Sequence, residues 1–133
     1  MVTAKDLMRT DLITVSKEAT VSEVIGILAE KGITGLPVVE DDMTIVGLIS
    51  EKDVLQVAYR IITNSYDPAT SNATVEKLMA KELVTFSPED NLADICQCFL
   101  DRSIRRVPVV DNGKLVGIIS RKDIITLAFQ TSS

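Results

Sequence analysis

The sequence contains no histidine and no tryptophan, and aromatic residues make up only 4% of its 133 residues. Without His the commonest general base is missing. No Ser or Cys stands in a nucleophile phrase such as G-x-S-x-G. Both absences weigh against an enzyme. Scarce aromatics mean that a core must be built from Val, Ile and Leu, which suits small β-α units whose strands are buried on both faces. The only cysteines are Cys96 and Cys98. Two positions apart on a helix, they point about 200° away from each other and cannot bond to one another. A zinc site would need further ligands, so buried, reduced thiols in a cytoplasmic protein are expected. No apolar run approaches the roughly 18 residues that span a bilayer. The charged start, with Lys5, Asp6, Arg9 and Asp11, does not read as a signal peptide.

What is present is a soluble globular composition, 46% hydrophobic and 25% charged. The net charge of -5 argues against nucleic acid, whose phosphates need clustered Lys and Arg. The charge is uneven. Residues 4–55 hold five basic and ten acidic residues, whereas residues 74–125 hold eight of each. The second half therefore has basic residues available for an anion.

The chain is also written twice. Leu7-Met8 aligns with Leu78-Met79, Thr14 with Thr85, Ser16 with Ser87, and Pro37-Val38-Val39 with Pro108-Val109-Val110. After a one-residue gap, Val46-Gly47 falls on Val116-Gly117 and Lys52-Asp53 on Lys122-Asp123. The reading is two repeats, 1–63 and 74–133, joined by a polar linker at 64–73. One copy of about fifty residues is too small for a confident core, so the copies are expected to pair with pseudo-two-fold symmetry and clefts where they meet.

Each copy reads β-α-β-β-α, which makes the fold class mixed α/β (α+β). A short helix opens at Thr3, capped by Asp6, or at Thr74, and the stretch LITVS or LVTFS follows. Thr20 with Glu23 caps a helix that Gly32 ends, and Asn91 with Asp94 caps its counterpart. Two β-rich runs form a hairpin, joined by Asn112-Gly113 in the second copy and by the longer Asp41-Asp42-Met43 in the first. The Glu40-Asp41-Asp42 run reads as a solvated turn rather than a metal site. Gly47 and Gly117 lie inside strands, where either a bulge or a close approach would call for glycine.

GLISEKD (47–53) and GIISRKD (117–123) close the hairpins. On spacing alone, Ser50 with Asp53 and Ser120 with Asp123 are capping boxes. The ordered set of a strand Thr, G-L-P-V-V or R-V-P-V-V, a hairpin and this closing phrase, present twice, resembles the cystathionine β-synthase (CBS) domain family over nearly the whole chain. The resemblance implies a CBS pair that dimerises and binds an adenosine compound (AMP, ADP, ATP or S-adenosylmethionine) in clefts between the copies. It further implies regulation of a partner protein through conformational change, with no cofactor required and no membrane.

By the same resemblance, Asp53 and Asp123 would grip ribose hydroxyls, since a carboxylate accepts two hydrogen bonds from a vicinal diol. Ser50 and Ser120 would lie near ribose or phosphate at a helix N-terminus. Ile13, Thr14, Val84 and Thr85 would line the adenine pocket, and Pro37, Val38, Pro108 and Val109 its apolar walls. Arg105 and Arg106, which replace Thr34 and Gly35, would offer phosphate contacts, with Lys122 and Arg121 adding charge. The Asp123 site is therefore expected to suit a phosphate better than the Asp53 site. The reading from another class is a structural dimerisation module whose clefts bind nothing.

Overall fold

Short local signals start and stop the elements of the chain. In the computed structural model, which describes residues 1–65 and 73–131, the first half runs α1 (Ala4–Leu7), α2 (Val21–Lys31), β1 (Gly35–Val39), β2 (Ile45–Ser50) and α3 (Glu51–Ile62). After a 3-10 turn (Val75–Lys77) come α4 (Leu92–Asp101), β3 (Arg106–Asp111), β4 (Lys114–Ser120) and α5 (Arg121–Thr131). The linker expected at 64–73 falls mostly, at 66–72, outside the described residues.

The Thr20 hydroxyl accepts the Glu23 amide at 3.2 Å, with no return bond to the Glu23 carboxylate among the described residues, and Gly32, at φ 61°, ends α2 in the left-handed region that glycine tolerates best. Asn91 does cap α4, but its side chain accepts the Ala93 amide at 2.9 Å and Asp94 makes no return bond. Cys96 and Cys98 are unpaired and half-buried rather than buried.

β1 pairs antiparallel with β2, and β3 with β4. Asn112 (φ 51°) and Gly113 (φ 81°) form a two-residue turn with both central residues at positive φ, the geometry that matches strand twist. Both ladders slip by one residue, at Val38/Val39 and at Val109/Val110, beside Gly47 and Gly117. The first-strand stretches pair more briefly than the sequence suggests. Val15 bridges Val38 in parallel and Phe86 bridges Val109, and neither ladder continues. The next bond along would need an N–H from Pro37 or Pro108, which proline lacks.

Contacts gather the residues into two units that cut across the sequence repeats. One is Ile13–Leu83, hereafter the Asp53 unit; the other joins Met1–Leu12 to Val84–Ser133, the Asp123 unit. In the Asp53 unit Ala80 pairs with Leu48, through bonds of 2.9 and 3.0 Å along the free edge of β2. In the Asp123 unit Arg9 pairs with Ile118 of β4 at 2.9 and 3.1 Å. Each repeat's opening segment thus completes the hairpin of the other repeat. Each unit has its own aliphatic core, around Val24, Leu36, Val38 and Ile49 in one and Ile95, Val107, Val109 and Ile119 in the other.

The same exchange explains the two strand glycines. A Cβ on Gly47 would stand 2.8 Å from Met79 Cγ and 2.9 Å from the Ala80 carbonyl oxygen. One on Gly117 would stand 2.7 Å from Met8 Cγ and 2.8 Å from Met8 Cβ. Bulge and close approach both hold, and what approaches is the methionine of the exchanged segment.

Candidate functional site

Both closing phrases form capping boxes. Ser50 N–H donates to Asp53 Oδ2 at 2.8 Å, and Asp53 N–H returns to Ser50 Oγ at 3.4 Å. Ser120 N–H donates to Asp123 Oδ2 at 2.9 Å, and Asp123 N–H returns to Ser120 Oγ at 3.2 Å. The first N–H of each helix is also taken: Glu51 donates to the Thr34 carbonyl at 2.8 Å and Arg121 to the Arg105 carbonyl at 3.0 Å. A helix starts with four amides that have no partner inside it. With three satisfied, only the Lys52 or Lys122 amide remains for an anion, so a phosphate bound here must lean on side chains.

Strand register places the other expected residues. Gly35 lies opposite Ser50, and Arg106 opposite Ser120, at the end of each hairpin where the helix begins. Because Val15 runs parallel to β1 beside Val38, Ile13 and Thr14 fall at this same end. Val84 and Thr85 do so in the Asp123 unit. The proline that stops each ladder leaves the Ile13 and Val84 carbonyls without a backbone partner among the described residues. Ile13 is 37% exposed, while Thr14 and Val84 are half-buried and Thr85 is exposed. The structure therefore brings each expected set to one sheet end within one unit.

Other expected residues sit differently. Val38 and Val109 have no exposed surface and pack in the cores, with Pro37 and Pro108 buried beside them. Arg105, just before β3, is exposed, and Arg106, its first residue, is half-buried. Lys122 is exposed. Arg121 does not add charge at the helix start. Its Nη2 donates to the Arg102 carbonyl at 3.1 Å and the Phe99 carbonyl at 3.4 Å, because the C-terminus of α4 attracts a cation.

Sequence reasoning missed Arg9. Its Nε donates to Asp123 Oδ1 at 3.2 Å, forming an ion pair with a carboxylate only 10% exposed. The equivalent position in the other unit is Ala80, and Asp53 Oδ1 accepts no hydrogen bond among the described residues. The signal was present in the repeat, as Leu7-Met8-Arg9 against Leu78-Met79-Ala80. It becomes legible only once the exchange of opening segments is known. A surface depression of about 330 Å³ lies elsewhere, lined by Ser16, Glu18, Val39 and the acidic turn Glu40, Asp41 and Asp42. It includes none of the expected binding residues, and its carboxylates oppose an anion.

Known proteins give the family. The CBS domain profile matches residues 4–60 and again residues 75–129. The chain belongs to the CBS-domain family. Its mixed α+β fold of two repeats matches CBS-pair structures: the crystal structure of CBSX2 in complex with AMP superposes at TM-score 0.88 with 32% identity, each chain covered in full. The CBS pair of MJ0100, solved with 5′-methylthioadenosine and S-adenosyl-L-methionine, superposes at 0.80 with 25% identity, covering 100% of this chain and 99% of that one. The CBS domain-containing protein YhcV of Bacillus subtilis is 32% identical over 93% of this chain and 84% of its own length. Other relatives are longer. The chain spans 41% of MJ1225 of Methanocaldococcus jannaschii and 60% of the chloroplastic CBSX1 of Arabidopsis thaliana. Among the described residues no helix is long and apolar enough to cross a membrane.

Proposed function

We propose that this chain is a regulatory module that binds an adenosine compound at one or both capped helix starts and passes its occupancy to a partner protein. The observation that carries the reading is the pair of carboxylates. Asp53 and Asp123 each spend Oδ2 on the cap and hold Oδ1 at the sheet end where a backbone carbonyl without a backbone partner among the described residues, of Ile13 or Val84, also arrives. A carboxylate for a ribose diol and a backbone acceptor for an amino-bearing base are the groups that an adenosine needs. The complexes of CBSX2 with AMP and of MJ0100 with two adenosine compounds support the same ligand class. Binding residues are those expected from the sequence, with Pro37, Val38, Pro108 and Val109 acting as core supports.

The module also self-associates. Leu55, Tyr59 and Ile62 of α3 are 65%, 67% and 79% exposed at helical spacing. Ile125 and Phe129, at equivalent places on α5, are 57% and 74% exposed. Apolar stripes of this kind suit a second copy of the chain. The role is regulatory rather than catalytic, and a reducing, cytoplasmic setting agrees with two unpaired cysteines.

Thermal unfolding in the presence of AMP, ADP, ATP and S-adenosylmethionine tests the reading. A ligand at 100 times its dissociation constant stabilises by about 2.7 kcal/mol. Asp123→Ala abolishes the shift given by the phosphorylated compounds, and Asp53→Ala does less. No shift with any of these compounds would sink the proposal.

A further inference from the structure

Arg9 stands outside the set of residues that the sequence points to, yet it makes the contact that most separates Asp123 from Asp53. Its Nε holds Asp123 Oδ1 at 3.2 Å, and neither terminal nitrogen has a hydrogen-bond partner among the described residues. The Arg9 side chain is 67% exposed and that of Asp123 10% exposed, so a fixed carboxylate carries a guanidinium on its open side. Arg9 is itself anchored, because its backbone N–H and carbonyl both pair with Ile118.

We infer that Arg9 sets the specificity of the Asp123 site, favouring adenosine compounds that carry a phosphate over those that do not. The inference rests on reading Asp123 as a ribose contact. Two effects act, and only the second discriminates. The ribose diol of either ligand meets a carboxylate whose Oδ2 is held by Ser120 and whose Oδ1 is held by Arg9, so both must share or displace the ion pair, at a cost of roughly two- to fivefold in affinity. A phosphate on the same ribose gives the unused terminal nitrogens a charge-assisted partner, worth about tenfold or more. Ala80, at the equivalent place beside β2, does neither. The chain thus carries two sites of different selectivity, and the residue that separates them comes from the exchanged segment.

Calorimetric titration with AMP and with adenosine tests this, in an Asp53→Asn background that confines binding to the Asp123 site. Arg9→Ala raises adenosine affinity up to about fivefold and lowers AMP affinity by about two- to tenfold, so the AMP-to-adenosine ratio falls about tenfold. A merely structural role for Arg9 would weaken both ligands together and leave the ratio alone. If both ligands bind and the ratio moves less than about twofold, the role of Arg9 is overturned while the ribose reading stands. If neither binds with Arg9 intact, the ribose reading falls and this inference with it. Ala80→Arg in an Asp123→Asn background makes the converse test. It raises the ratio at the Asp53 site, and an unchanged ratio there counts against the inference.

Discussion

Asp53 and Asp123 occupy equivalent positions, each capping an eleven- or twelve-residue helix through the preceding serine. Beside β2 the neighbouring segment presents Ala80, and beside β4 it presents Arg9. Opposite Ser50 stands Gly35, and opposite Ser120 stands Arg106. The contrast extends to the whole of each unit. Ile13–Leu83 holds six basic and eleven acidic residues, whereas the Asp123 unit holds eight of each. The hairpin pairing and the Ser-Asp caps of α3 and α5 are alike in the two units, while charge differs. The scaffold is what binding of any adenosine compound requires, and the charge decides which one.

The scaffold half of that contrast has the largest expected effects. Ile49 and Ile119 are equivalent strand residues, 1% and 0% exposed, each in the core of its own unit. Ile49→Ala and Ile119→Ala each lose about 2–5 kcal/mol, by removing buried methyl groups and leaving a cavity. Urea unfolding measures both. A loss below about 1 kcal/mol at either position would break the equivalence of the two cores.

Smaller losses, and a matched pair, are expected at the glycines. Gly47→Ala and Gly117→Ala each cost about 1–3 kcal/mol through overpacking. Neither clash is relieved by side-chain rotation alone, because the methyl at 47 meets the Ala80 carbonyl oxygen at 2.9 Å and the methyl at 117 meets Met8 Cβ at 2.8 Å, both fixed by the backbone. Urea midpoints that differ between the two by more than the equivalent of about 1 kcal/mol would show that one exchanged segment yields more readily than the other.

Much of this was legible in the sequence. The caps at Thr3, Thr20, Asn91, Ser50 and Ser120 are set by interactions within three residues, so spacing alone reveals them. The Asn112-Gly113 turn is equally local. Three things were not legible, all of them long-range. Nothing in Leu7-Met8-Arg9 says that it will pair with β4, more than a hundred residues away, because an edge strand is chosen by backbone groups that every residue but proline shares. Arg121 looked available for a phosphate until the C-terminal carbonyls of α4 were seen to hold it. Pro37 and Pro108 read as pocket walls. Their structural consequence is instead a missing N–H that ends the ladder and frees the Ile13 and Val84 carbonyls.

The smallest expected effect concerns the opening turns. Thr3 N–H and Oγ both donate to Asp6 Oδ2, at 2.9 and 3.1 Å, and these bonds hold the Asp6 carboxyl below the usual carboxylate range. At the equivalent place after Thr74 stands Lys77, which cannot accept a hydrogen bond. Thr74 makes no side-chain cap there, and the turn is 3-10 rather than α. A lowered folded-state pKa means that Asp6 stabilises its turn above the unfolded value, and that this contribution is lost as pH falls through the folded one. The Asp6 carboxyl resonance should therefore titrate at lower pH than that of a solvated aspartate, with α1 amides protected above the transition and exchanging faster below it. Asp6→Asn flattens that pH dependence in the Asp123 unit, whereas Lys77→Ala leaves the pH dependence of the 3-10 turn unchanged. A normal Asp6 titration, or acid loosening of both turns alike, would show that the caps of the two exchanged segments do not differ.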